Sequence, residues 1–189
     1  MVNTSPEWLS ALRVCRIVPW SGTAWRFHSQ RYTPTSHGGS LKVTGRYHRG
    51  WDRYPEAETW SALYLALKPH IALGERLRHT TPEVLASLNG QRLSELRLVL
   101  HRVIIGCQLP DCAGSPIPGI TLSDLCGPHD YAKPHQVAAT ARTMGVEGML
   151  VPSCTEFAGG NLVVFPDLLD TNSTIGVVRS EDPTLFIGR

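Results

Sequence analysis

The sequence predicts an α+β fold in one domain that spans residues 1–189. Predicted helices and strands follow one another without the regular strand–helix–strand alternation of a parallel sheet. No segment of the chain repeats another, and no linker of glycine, proline or charged residues divides it. A chain of 189 residues is long enough to bury the core of one domain.

Four helices are predicted, each starting at a capping hydroxyl or at a proline in the first turn. Glycines Gly90 and Gly145 follow two of them, where a left-handed residue commonly ends a helix. The predicted helices are Thr4 to about Pro19, Pro69 to about His79, Thr80 to Asn89, and Pro134 to Met144.

Strands are predicted where apolar residues alternate or form short runs between turn residues. These strands are Thr23–His28, Trp60–Leu67, Leu93–Ile105, Gly148–Pro152, Asn161–Phe165 and Thr174–Arg179, and the third is one long strand or two. Between the first two lies a long irregular segment, residues 30–50, which is rich in Thr, Ser, Gly and His. Long ordered loops in compact domains are often functional, so we expect this segment to contribute to a site.

Composition and charge exclude several classes of protein. Hydrophobic residues make up 42% and charged residues 18%, and the formal net charge is only +2. This balance gives no reason to expect a nucleic-acid or membrane surface as partner. No apolar run approaches the roughly 20 residues of a membrane helix, and the first residues lack the apolar block of a signal peptide. A cytoplasmic location is expected.

The five cysteines are odd in number and show no CxxC spacing. This pattern favours reduced, buried or loop thiols over a disulfide framework. A zinc site built on Cys107, Cys112 and a distant histidine is the less favoured alternative.

Glu75 is the leading candidate for a catalytic residue. Helical periodicity puts it between Ile71 and Ala72, on the side of the helix that should meet the sheet. A carboxylate there must be paired, hydrogen-bonded or functional, because an unpaired buried charge is costly. The alternative is a solvated glutamate paired with Arg76 or Arg78.

Other residues of the sequence have side chains that suit the binding of a nucleotide. Arg26 and Arg46 carry guanidinium groups that match phosphate oxygens, and Tyr64 offers a wall for a planar ring. A solvated arginine and a core tyrosine are the structural alternatives. Ser153 lacks the flanking glycines of a G-x-S-x-G nucleophile elbow, and no Walker A or G-x-G-x-x-G loop occurs.

Taken in order, these residues resemble the RES-domain family, which is named for an arginine, a glutamate and a serine. The resemblance runs from about Trp25 to Phe165. Its pieces are Trp25-Arg26, Gly45-Arg46 before an aromatic residue, ALYLAL leading to the helix with Glu75, and GMLVPS followed by NLVVF. The family's usual G-R-W-N is Gly45-Arg46-Tyr47-His48 here, and Phe27 replaces a tyrosine.

The resemblance implies a fold related to ADP-ribosyltransferases and a toxin of a toxin–antitoxin pair that consumes NAD as its substrate. Arg26 and Arg46 would hold the pyrophosphate, Phe27 and Tyr64 would contact the nucleotide, and Ser153 would hydrogen-bond to it. Glu75, with Arg26 and Tyr64, would promote cleavage of the nicotinamide–ribose bond. No metal is implied.

Several alternatives stay open at this point. The acceptor of the ADP-ribosyl group is phosphate, water or a protein side chain, and the last makes the chain a mono-ADP-ribosyltransferase. A nucleic-acid-binding module using residues 46–54 is the non-enzymatic alternative. The implied partner is a cognate antitoxin that covers the active site, with nucleic acid contacted only through it. Apolar residues at 162–169 and 184–187 are candidates for that interface or for a homodimer, and ordinary core is the alternative.

Overall fold

The structure is a computed structural model that describes residues 10, 12–13, 15–77, 88, 90–105, 120–127, 131–155 and 159–186. Six strands and three α-helices are defined in this part of the chain. The strands are β1 (Ile17–Ser29), β2 (Leu63–Ala66), β3 (Gln91–Ile104), β4 (Gly148–Pro152), β5 (Gly160–Val164) and β6 (Thr174–Glu181). The helices are α1 (Pro69–Leu77), α2 (Leu122–Cys126) and α3 (Ala132–Thr143).

The long strand β3 organises the sheet. One edge of β3 is antiparallel to β1, from Ile17 opposite Ile104 to Ser29 opposite Gln91. The other edge is shared by antiparallel β6 and by β4, which is parallel to β3. The order β1-β2-β5-β4-β3 returns to β1, so five strands form a closed ring and β6 lies outside it. This mixed arrangement confirms the predicted α+β class.

Side chains along β3 alternate between the buried core and the solvent-exposed side of the sheet. Leu96, Leu98 and Leu100 are fully buried, whereas the intervening Arg97 and Val99 are exposed. Successive side chains of a strand point to opposite faces, so the leucines share one side. They pack with Ala24 of β1 and apolar residues of β2, β4 and β5. A second cluster packs α3 against the sheet.

Helix α1 begins at Pro69, as predicted, and follows β2 after two residues. Its buried residues Ile71, Ala72 and Leu73 place one side of the helix against the sheet. Glu75 is only partly exposed, at the margin of that side. The predicted helix at 80–89 and the cysteines of the possible zinc site lie outside the described residues, apart from residue 88.

The prediction of an N-terminal helix reaching Pro19 is wrong at its end, because β1 already begins at Ile17. The β1–β3 register shifts between Val18 and Trp20, which is where Pro19 lies. Proline lacks the N–H that the ladder needs, and a bulge accommodates it. A proline that looked like a helix stop therefore lies within an irregular strand.

The prediction of a partner surface at residues 162–169 is also corrected. Leu162, Val163, Val164 and Phe165 are fully buried, so residues 162–165 do not form a partner surface. They are core because β5 is a central strand between β2 and β4. Leu185 belongs to the other candidate segment, residues 184–187, and it is 58% exposed. A partner surface there stays a prediction.

The prediction of reduced thiols is wrong for Cys126 and Cys154, which form a disulfide with Cα atoms 5.1 Å apart. They are separated by 28 positions in the sequence. The fold brings the end of α2 against the loop after β4, a proximity that cysteine spacing does not encode. Within the described ranges, no helix is long and apolar enough to span a membrane.

Candidate active site

A cavity of about 310 Å³ opens where the 45–48 loop faces β2, α1 and the end of β4. This volume lies at the lower end of the range for small-molecule sites. Its walls combine aromatic rings, two arginines and one carboxylate. The lining residues are Trp25, Phe27, Gly45, Arg46, Tyr47, His48, Tyr64, Leu65, Ala66, Ala72, Glu75, Arg76, Tyr131, Val151, Pro152, Cys154 and Asn161.

The carboxylate of Glu75 is held by three donors that all reach one oxygen. Oε1 accepts hydrogen bonds from Ser153 Oγ at 2.6 Å, Asn161 Nδ2 at 2.8 Å and the Cys154 N–H at 3.2 Å. The donors belong to β5 and to the loop after β4, so the sheet orients a side chain that the helix carries. Glu75 is therefore hydrogen-bonded within the fold and is not a fully solvated side chain.

The second oxygen of Glu75, Oε2, receives no hydrogen bond from the described residues. Glu75 lines the cavity, and its fixed Oε1 prevents the carboxylate from rotating freely. One oxygen therefore anchors the group while the other stays available to a ligand. A preorganised carboxylate of this kind stabilises positive charge that develops beside it.

Arg46 is fixed by the end of α2 and lines the same cavity. Its Nη1 donates to the carbonyls of Leu125 at 2.8 Å and Gly127 at 2.9 Å. The guanidinium also lies over the ring of Tyr131, 4.9 Å from its centroid. These contacts fix the guanidinium group of Arg46 in the wall of the cavity, where its positive charge can bind an anion.

Tyr64 is tied to the 45–48 loop. Its hydroxyl oxygen accepts a hydrogen bond from the Tyr47 N–H at 2.8 Å and lies 2.9 Å from His48 Nδ1. Burial raises the pKa of Tyr64, so the phenol keeps its proton at neutral pH. With Trp25, Phe27 and Tyr47, it supplies the aromatic surface of the cavity.

Arg26 is not among the lining residues. Trp25 and Phe27 reach the cavity, and alternation along β1 directs Arg26 to the other face of the strand. There its Nη1 donates to the Pro34 carbonyl at 2.6 Å. Burial lowers the pKa of Arg26 to about 10, which leaves it cationic at neutral pH.

Ser153 is not among the lining residues either, and it contacts the site through Glu75. Its hydroxyl donates to Glu75 Oε1, and its oxygen accepts a hydrogen bond from the Thr155 N–H at 3.3 Å. The backbone N–H of Ser153 is held by the Gly159 carbonyl at 2.9 Å. The serine is thus placed to orient the glutamate.

Among the lining residues that the sequence did not predict as site residues are Arg76, Tyr131, Cys154 and Asn161. Asn161 had a detectable signal, because it is a polar residue at the start of the buried strand NLVVF. Arg76 follows Glu75 directly, a spacing that suggests an ion-pair partner and not a separate site residue. Tyr131 and Cys154 carry no pattern that separates them from ordinary loop residues.

Comparisons with known proteins bear on the fold and on the family of the chain. A chain in the crystal structure of the M. tuberculosis MbcT–MbcA toxin–antitoxin complex has a similar fold, with a TM-score of 0.74. The two chains are 19% identical, and the match covers 97% of each. No curated protein matches the sequence. The family model described as the RES domain matches residues 23–184, the range that contains every lining residue of the cavity, and the chain therefore belongs to the RES domain family.

Proposed function

We propose that this chain cleaves NAD at the nicotinamide–ribose bond, using the cavity around Glu75. The observation that carries the proposal is the anchored carboxylate, with three donors on Oε1 and none from the described residues on Oε2. Membership of the RES domain family supports the same chemistry.

The reaction suits this site because the leaving group is already cationic. Nicotinamide departs from NAD as a neutral molecule, and positive charge grows on the ribose as the C–N bond breaks. Such a step needs little acid catalysis, and it needs placement and a nearby negative charge. Glu75 would supply that charge through Oε2, while the nucleotide lies against the aromatic walls formed by Phe27 and Tyr64.

The contacts of Arg46 and Arg26 support a role in pyrophosphate binding to different degrees. Arg46 is favoured, because it lines the cavity and is held by two carbonyls. Arg26 would first have to exchange its hydrogen bond to Pro34 for one to the nucleotide. Ser153 would act on the nucleotide mainly by fixing Glu75, since its hydroxyl already donates to that carboxylate.

The biological role that fits this chemistry is that of a toxin restrained by a partner. Loss of NAD harms the cell that carries the enzyme, so an inhibitor is needed. The fold is similar to that of a chain from a toxin–antitoxin complex, which supports a cognate antitoxin that covers the cavity. An ADP-ribosyltransferase-like fold, implied by the resemblance, belongs to the same proposal.

The proposal is tested by incubating purified protein with NAD, with and without phosphate, and measuring released nicotinamide. Wild-type protein should release it, and Glu75→Gln should reduce kcat by about 10²–10³-fold while the protein stays folded. The matched control is Glu181→Gln, since Glu181 pairs with Arg179 on β6 and does not line the cavity. A wild-type protein inactive under both conditions would refute the proposal.

The same assay with NAD labelled in the adenosine part identifies the acceptor. Labelled ADP-ribose indicates hydrolysis, and its phosphate ester indicates phosphorolysis. Label that stays attached to protein indicates mono-ADP-ribosyl transfer by the same site.

A further inference from the structure

The hydroxyl of Tyr64 belongs to a chain of hydrogen bonds that passes through His48 and ends at the backbone carbonyl of Val43. Tyr64 OH lies 2.9 Å from His48 Nδ1, and His48 Nε2 lies 2.7 Å from the Val43 carbonyl oxygen. His48 and Tyr64 both line the cavity. His48 is also the residue that replaces the asparagine usual in the family motif.

These partners determine where the protons lie. A carbonyl oxygen can only accept, so His48 Nε2 must carry the proton that is donated to Val43. A neutral imidazole has one N–H, which makes Nδ1 an acceptor. The Tyr64 hydroxyl therefore donates to His48 Nδ1, while its oxygen accepts from the Tyr47 N–H. One lone pair of the Tyr64 oxygen is the hydrogen-bonding capacity that remains for a ligand.

The environment keeps His48 neutral. Its side chain is only 6% exposed, and burial lowers the pKa of the ring. The Val43 carbonyl opposes this, His135 on α3 lowers the pKa further, and Asp52 of the same loop raises it. The titratable group that faces it from β2 is Tyr64 itself, an uncharged phenol.

Gly45 makes room for the ring. A Cβ atom on Gly45 would clash with Cε1 of the His48 ring. The loop backbone therefore passes directly against the imidazole. Gly45 therefore has a packing role against the His48 ring.

We propose that His48 is a positioning residue that makes Tyr64 a hydrogen-bond acceptor toward the bound nucleotide, and that this selects a carboxamide over a carboxylate on the pyridine ring. The inference rests on the proposed function. A carboxamide has an N–H that can donate to the remaining lone pair of Tyr64. An ionised carboxylate has only acceptors, so its oxygens would face that lone pair without a proton between them.

The test compares equilibrium binding of NAD and nicotinic acid adenine dinucleotide by calorimetry at pH 7.5. Glu75→Gln protein serves as the background, so that the ligand is not consumed. NAD should bind at least about tenfold more tightly than the acid. Adding Tyr64→Phe or His48→Ala should reduce this preference to about threefold or less, because the fixed acceptor is removed or its proton is released.

The outcomes separate the two proposals. If neither dinucleotide binds to any variant, the proposed function fails and this inference fails with it. If both bind and the preference is the same with and without His48→Ala, only the role of His48 is refuted.

A second measurement does not depend on a ligand or on a variant that folds poorly. Nitrogen-15 NMR of the wild-type imidazoles should show the His48 ring with protonated Nε2 and unprotonated Nδ1, a state that this ring keeps below pH 6.5. Its Nδ1 signal should shift in Tyr64→Phe. A His48 ring protonated on Nδ1 at pH 7.5 would overturn the inference.

Discussion

The side-chain amide of Asn161 donates a 2.8 Å hydrogen bond to Glu75 Oε1, linking β5 to α1 across 86 positions of sequence. Asn161 is fixed by its own strand, since it pairs with Ala66 of β2 and Val151 of β4. The orientation of the candidate catalytic carboxylate is therefore set by the centre of the sheet. A helix alone would leave this side chain free to choose among rotamers.

Replacing Asn161 with aspartate should test that arrangement with almost no change in shape. The new carboxylate would lie about 2.8 Å from that of Glu75, and two carboxylates at this distance do not both ionise readily. We expect NAD cleavage at pH 7.5 to fall at least about tenfold. The pH profile of kcat/KM should move to lower pH, because the introduced carboxyl group can again donate to Glu75 once it is protonated.

An Asn161→Asp enzyme with the wild-type pH profile would show that the amide does not control Glu75. Thermal unfolding of the variant, followed by circular dichroism, is the accompanying check. A folded protein with a shifted profile separates the loss of positioning from a loss of structure.

The disulfide joins the two segments that hold the charged residues of the site. Cys126 lies between Leu125 and Gly127, whose carbonyls accept from Arg46, and the N–H of Cys154 donates to Glu75. Reduction with dithiothreitol, or the Cys126→Ala substitution, should lower the free energy of unfolding by about 3–4 kcal/mol for a loop of this length. Denaturant unfolding measures this loss directly.

The control for the disulfide is Cys15→Ala, since Cys15 takes no part in the bond. Its unfolding free energy should keep its sensitivity to dithiothreitol, whereas that of Cys126→Ala should lose it. Equal sensitivity of Cys126→Ala and wild-type protein would contradict the assigned bond.

Glu147 is a buried carboxylate that the proposed chemistry does not use. It is 1% exposed and accepts hydrogen bonds from the N–H groups of Arg102, His101 and Asp170 and from the Ser173 hydroxyl. Glu147→Gln should destabilise the fold by about 2–4 kcal/mol, because an amide NH₂ would face N–H donors. The kcat of the remaining folded protein should be unchanged, since Glu147 does not line the cavity.

The measurement for Glu147 is urea unfolding as a function of pH. Burial alone would raise the pKa of this carboxyl, but its four hydrogen bonds together hold the pKa below 4.5. Stability from this group is present above pH 4.5 and is lost as the pH falls through the lowered value. A Glu147→Gln variant that loses stability in acid as steeply as wild-type protein would contradict this account.

Much of the fold followed from local pattern. The predicted strands at 148–152 and 161–165 agree with β4 and β5, and Pro69 begins α1. Periodicity in the helix also placed Glu75 beside the sheet. Local pattern does not encode which residues of distant segments come into contact. The Asn161–Glu75 hydrogen bond and the Cys126–Cys154 disulfide are both contacts of this kind. Arg26 shows a related limit, because its neighbours Trp25 and Phe27 line the cavity and strand alternation directs it away.

Two buried histidines and one half-buried histidine should make the fold sensitive to mild acid. Burial is the main cause that lowers the pKa of His28, His48 and His135. In the unfolded chain each ring returns to a pKa of about 6.5, so the unfolded state binds more protons below that pH. The free energy of unfolding should therefore be insensitive to these groups above pH 6.5 and fall by at least about 1 kcal/mol between pH 6.5 and 5.0. Carboxylates such as Glu147 titrate below this window.

The measurement is urea unfolding at pH 7.5, 6.5 and 5.0. The His135→Gln variant should show a weaker dependence of stability on pH, and the exposed His101→Gln variant should keep the wild-type dependence. Equal slopes in the two variants would show that burial of His135 does not carry the effect.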